Sequence, residues 1–96
     1  MSERTWYLVC YDIRDDARLR RVAKLLEGYG ERTQYSVFRC RLTPREEQRL
    51  RWELARLVAD EDAWLVVPLC GACVQRLRQH GGHSAWPEDP PGYAIV

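Results

Sequence analysis

Hydrophobic positions fall along the chain in two rhythms, one of period two and one of period 3.6, and their order predicts the fold. Trp6 to Tyr11 is apolar throughout, as expected of a central strand covered on both faces. Beyond it Asp15 or Asp16 is placed to cap a helix. Leu19, Val22, Ala23 and Leu26 then follow the i, i+3, i+4, i+7 rule and make one buried stripe. Gly28 and Gly30 end that helix. From Arg32 to Leu42 the chain is extended: Phe38, Cys40 and Leu42 alternate with Arg39 and Arg41, so one face is buried and the other polar. A tight reversal near Tyr35-Ser36 is expected to divide this segment into two strands, a single bent strand being the alternative.

Thr43-Pro44-Arg45-Glu46 is a capping box with proline at the first helical position. Leu50, Leu54, Leu57 and Val58 form the stripe of the helix it starts, and Glu47–Arg51 and Arg49–Glu53 are i, i+4 pairs on its wet side. Ala63 to Leu69 is a further strand. Pro68 cannot donate to a ladder, which puts this strand at a sheet edge or ends it there. After Cys70 the pattern weakens. Residues 81–92 look like a loop and linker, and 93–96 like a short terminal strand that must add to an edge, its own or a partner's. The simplest packing is an α+β fold: a ferredoxin-like βαββαβ unit with an extra C-terminal strand. It forms a single domain over 1–96, with its core at about residues 5–80. The second sheet face keeps apolar residues, so a homodimer is expected to cover it.

Length and composition narrow the classes. Ninety-six residues, 46% hydrophobic and 10% aromatic, fit one folded domain whose thin core gains from dimerisation. There is no leader-like segment and no apolar run of about 18 residues, so a cytoplasmic protein with reduced thiols, away from the membrane, is expected. Cys10 and Cys40 fall in apolar runs and are expected to be small core residues. Net charge is +1, but Arg14 to Lys24 carries five basic residues against two acids, and 14 of the 15 basic residues are Arg. That bias suits bidentate phosphate binding, and a GC-rich genome produces it equally well.

Candidate chemistry centres on Asp12, a carboxylate at the end of the central strand, where open sheets place ligands. It can serve as a metal ligand or cap the turn before the helix. One carboxylate is too few for Mg2+, which takes about six oxygens. A two-fold axis would pair Asp12 with its own copy. Two such carboxylates ~4 Å apart repel by about 4 kcal/mol at an effective dielectric of ~20, a repulsion that a divalent cation removes. The cation would also acidify a bound water for attack on phosphorus. Arg14 and Arg18 flank this position, Arg21 lies one turn further on, and Arg32 begins the second strand. Each is a candidate phosphate clamp or a solvated surface charge. Asp15 and Asp16 are expected to serve the helix dipole. Cys70-Gly-Ala-Cys73 with His80 and His83 invites a zinc site, but six residues between Cys73 and His80 are short for a finger, and ordinary thiols are favoured. Ser36 with either histidine lacks the elbow and third member of a nucleophilic triad.

Tyr11-Asp12-Ile13, the acids at 15 and 16, the basic amphipathic helix, Tyr29-Gly30 and Gln34-Tyr35-Ser36-Val37-Phe38 occur in an order and spacing that closely resemble the CRISPR-associated protein two family. That family comprises small CRISPR adaptation endonucleases, partners of the CRISPR integrase, and the resemblance covers residues 6 to about 70. It implies a ferredoxin-like homodimer whose C-terminal strand pairs with the partner's sheet. It also implies a role in spacer acquisition, bridging integrase dimers on a DNA duplex, with Mg2+-dependent endonuclease activity on RNA or double-stranded DNA. By this resemblance Asp12 matches the catalytic, metal-binding aspartate, and Tyr11, Arg21, Arg32, Ser36 and Phe38 match positions around the cleft. With Arg14 and Arg18 these make the expected nucleic-acid contacts. Arg39 stands where many members have an acid, and Leu19 where many have a base. The competing functions are a purely structural nucleic-acid-binding adaptor and a small-molecule-sensing domain, which the same fold can host.

Overall fold

The structure is a computed structural model and describes residues 3–78. The expected linker at 81–92, the terminal strand at 93–96 and both histidines lie outside the described residues. Within them the order is β1 (Thr5–Asp12), α1 (Asp16–Glu27), β2 (Gly30–Gln34), β3 (Val37–Leu42), α2 (Pro44–Leu57), β4 (Ala63–Leu69) and α3 (Gly71–Arg76). The strands form one sheet in the order β2-β3-β1-β4, with every neighbouring pair antiparallel.

Helix starts follow the expected chemistry. Asp15, rather than Asp16, caps α1, its carboxylate accepting the Arg18 N–H, while Asp16 stands in the first turn. The capping box of α2 is complete: Glu46 N–H donates to Thr43 Oγ1 at 3.2 Å and Thr43 N–H to Glu46 Oε1 at 2.9 Å. Val22 and Leu26 from α1 and Leu50 and Leu54 from α2 are fully buried against Val9, Tyr11, Phe38, Cys40 and Leu42 of the sheet. Leu19, Leu57 and Val58 pack around that core.

Three details differ from expectation or decide between alternatives. The chain reverses at Tyr35-Ser36 between β2 and β3, so the segment is two strands and not one bent strand. Gly30 does not end α1; Gly28 caps it, and Gly30 opens β2 opposite Cys40. A Cβ at Gly30 would lie 2.0 Å from the Arg39 carbonyl oxygen and 2.8 Å from Cys40 Sγ, so the close approach of β2 to β3 requires glycine. Cys10 is only half-buried, because it points to the sheet face away from the helices, whereas Cys40 is in the core.

Among the described residues β4 is an edge strand, and Pro68 pairs there with Tyr7. On β3, Arg39 is only 2% exposed, its guanidinium donating to Glu31 Oε1 at 2.6 Å across the β2–β3 pair. The polar side of that strand is therefore not a wet side at Arg39. No helix of the described residues is long and apolar enough to cross a membrane.

Candidate functional site

Alternation along β1 divides the expected site residues between the two faces of the sheet. Tyr11 points into the helix-covered core with Val9, and Asp12 points the other way, its side chain 69% exposed. Arg14 lies beside Asp12 on that side, with 3.9 Å between guanidinium and carboxylate. Leu8, Cys10 and the 57%-exposed Leu65 occupy the same face. Asp12 thus stands at the rim of a mixed sheet face, where Leu8, Cys10 and Leu65 lie beside the Arg39–Glu31 ion pair.

Tyr11, Arg32 and Phe38 gather on the opposite side. The Tyr11 and Phe38 rings lie 6.2 Å apart, and the Arg32 guanidinium sits 5.0 Å from the centre of the Phe38 ring. Arg32 also donates to the Tyr35 carbonyl, as does the Tyr11 hydroxyl at 3.5 Å. Burial pushes the Tyr11 phenol above its ordinary pKa and the neighbouring Arg32 charge opposes that rise, so Tyr11 is a neutral donor here. A cavity of about 150 Å³ opens between Tyr11, Leu19, Arg20, Ala23, Arg32 and Tyr35. Tyr35 is 75% exposed at its mouth. An exposed aromatic with two guanidiniums can stack a base and hold a phosphate. Arg20 and Tyr35 were not among the expected site residues, although Tyr35 sits inside the motif quoted above.

Ser36 lies in the turn, and its carbonyl accepts the Tyr11 N–H at 3.1 Å, tying the turn to the end of β1. Arg21 projects from the exposed side of α1. Arg18 is otherwise engaged. Its Nε donates to Asp62 Oδ2 at 2.7 Å, and its Nη2 donates to Asp62 Oδ1 at 3.2 Å and Glu61 Oε2 at 2.8 Å. Asp62 also accepts the backbone N–H groups of Arg14 and Ala59, each at 2.9 Å, and its side chain has no exposed surface. The Arg18 guanidinium, followed by the two amides, holds its carboxyl well below the usual carboxylate range. Asp62 therefore fixes the backbone two residues beyond Asp12. The acidic run Asp60-Glu61-Asp62 was the only hint of it in the sequence.

The donor set is sparse for a metal. Among the described residues no group of three or more His, Cys, Asp or Glu could hold one. Asp12 alone offers at most two of the roughly six oxygens that Mg2+ takes, so one chain does not make the site.

Residues 5–77 match the family described as CRISPR associated protein Cas2. The chain is 38% identical over 95 residues to the CRISPR-associated endoribonuclease Cas2 3 of Synechocystis sp., a match spanning 94% of this chain and 97% of that one. Its fold superposes on the crystal structure of Streptococcus pyogenes Cas2 with a TM-score of 0.71 and 33% identity, over 79% of this chain and 99% of the other. A chain in a partial Cas6-RT-Cas1–Cas2 complex gives a TM-score of 0.72 at 25% identity, covering 81% and 92%.

Proposed function

The chain belongs to the Cas2 family of CRISPR-associated proteins, and from that premise we propose that it acts in CRISPR adaptation as a cytoplasmic, ferredoxin-like homodimer. In this role it binds duplex DNA, bridges dimers of the Cas1 integrase and hydrolyses phosphodiesters of RNA or double-stranded DNA. The observation that carries the hydrolytic part is Asp12: an exposed carboxylate at the end of the central strand, beside Arg14, on the sheet face away from the helices. A second copy laid on that face would bring two Asp12 side chains together and supply up to four of the roughly six oxygens, leaving the rest to water. Mg2+ held there would offset the carboxylate repulsion and activate water. Arg14 would hold a non-bridging phosphate oxygen beside the scissile bond, and the Asp62 grip on its N–H keeps the segment from swinging away. The name of the Synechocystis relative supports nuclease chemistry, and the solved complex supports the Cas1 partner.

Arg20, Arg21 and Arg32, with Tyr35, would make the sequence-independent nucleic-acid contacts. Their separation from Asp12 by the thickness of the sheet also favours a second function, a duplex-holding adaptor that does not cut.

One experiment separates the two. Purified full-length protein and its Asp12→Asn variant are assayed on labelled RNA and duplex DNA with Mg2+ or with chelator, and duplex affinity is measured in parallel. Hydrolysis lost in the variant and in chelator, with duplex binding retained, supports the shared-metal nuclease. Cleavage that survives Asp12→Asn overturns it, and duplex binding with no cleavage by the wild type leaves the adaptor.

A further inference from the structure

Cys70 and Cys73 lie where the chain leaves β4 and enters α3, away from both Asp12 and the Arg32 cluster. Both are exposed free thiols, and their sulfurs are 3.2 Å apart. The Cys73 N–H donates to Cys70 Sγ at 3.4 Å, so the first turn of α3 folds the two side chains towards each other. The residues between them are Gly71 and Ala72, which leave the sulfurs unscreened. Their α-carbons, three positions apart in a helical first turn, are roughly 5 Å apart, within the range a disulfide spans. The other two cysteines have neither property. Cys40 is in the core with its thiol pushed up to about 12 by burial, and Cys10 is half-buried with its thiol also raised by burial. The neighbouring Cys73 side chain, and after it the Cys73 N–H, instead lower Cys70, which favours its thiolate.

We propose that Cys70 and Cys73 form a reversible dithiol–disulfide site, oxidised by exchange with an external disulfide. The Cys70 thiolate attacks one sulfur of that disulfide and expels the other as a thiolate. Cys73 then loses its proton and attacks Cys70 Sγ in the mixed disulfide, releasing the second external thiolate. Two electrons and two protons leave with the external disulfide, which becomes two thiols. The ring closed in the chain is only four residues long, so closure adds little chain-entropy stabilisation and the bond should be readily reduced. Oxidation draws Cys70 Sγ towards Cys73 Sγ, so it acts on the joint between the edge strand and α3.

The full chain, metal-analysed as purified, is equilibrated in buffers of graded reduced-to-oxidised glutathione ratio. It is then acid-quenched, alkylated with a maleimide and examined by intact mass and peptide mapping. The expected result is the paired loss of two alkylation sites on the 70–73 peptide, a mass lower by two hydrogens, and full recovery in dithiothreitol. Cys73→Ser should instead trap glutathione on Cys70. Thiols that alkylate at every ratio, a bond formed between chains, or a thiolate-bound zinc that blocks alkylation until chelated would each overturn the site.

Discussion

Arg18 and Asp62 form a closed fork in which each carboxylate oxygen takes one guanidinium N–H and one backbone N–H. The fork joins the start of α1 to the α2–β4 connection, next to the point where Asp12 pairs with Ala63. Because Asp62 is held below the usual carboxylate range, its contribution to stability is full above that range and is lost as pH falls through the depressed folded value. Asp62→Asn should therefore lower Tm by several degrees at neutral pH and remove part of the acid limb of a Tm-against-pH curve. A variant whose Tm and acid limb match the wild type would show that the fork contributes nothing.

Gly30→Ala should cost about 3 kcal/mol, since the new methyl meets a backbone carbonyl at 2.0 Å and neither strand can yield without breaking the β2–β3 ladder. Gly28→Ala is the control. Its backbone is helical, with φ at −77°, and its Cβ would stand 3.3 Å from the Leu25 carbonyl, so a change below about 1 kcal/mol is expected. Urea titration of both variants measures the contrast.

Tyr29 packs beside the core and donates its hydroxyl to Glu53 on α2. Burial, then this hydrogen bond, raises the phenol from 10.0 to about 12. The folded state thus keeps the proton longer than the unfolded one. The resulting stability is fully present below pH 10 and declines as pH rises towards 12. Tyr29→Phe should cost about 1 kcal/mol at neutral pH and flatten that alkaline decline in a denaturation series.

Cys40 should resist alkylation near pH 8 in the native protein and react only when the sheet opens, because burial both shields it and raises its pKa to about 12. Pulsed alkylation in increasing urea should show Cys40 modification rising along the global unfolding curve. Modification in advance of that curve would mean that β3 opens locally.

What could be foreseen in the sequence was what short-range chemistry specifies. The helical stripes, the capping box and the strand at Ala63 to Leu69 rest on neighbours within a few positions, and all appear in the structure. The Tyr35-Ser36 reversal is expected where the structure has it, but with no glycine or asparagine signature, so strand pairing is needed to choose it over a single bent strand. α3 has six residues and begins with Gly71, too short for a periodic stripe. Arg39 reads as a surface charge until β2 sets Glu31 beside it, and the donors that satisfy Asp62 lie up to 48 residues away. At the candidate site, the place of Asp12 at the end of an apolar strand was legible. That Arg18 is committed to Asp62, and that Asp12 and Tyr11 serve opposite faces, depends on register and non-local contacts.

Pro68 gives the β4 edge a polarity of its own. The Tyr11 N–H points to β3, so the odd residues of β1 turn their amides away from β4, and Tyr7 and Pro68 form a pair without ladder bonds. The groups directed outward from β4 are then those of Trp64, Val66 and Pro68: three carbonyl acceptors but only two N–H donors. A strand arriving at this edge, from the same chain or another, finds a keyed ladder in which the rung at Pro68 only accepts. Registers that ask that rung to donate leave a carbonyl unpaired, so the ring selects among alignments without touching the newcomer's side chains.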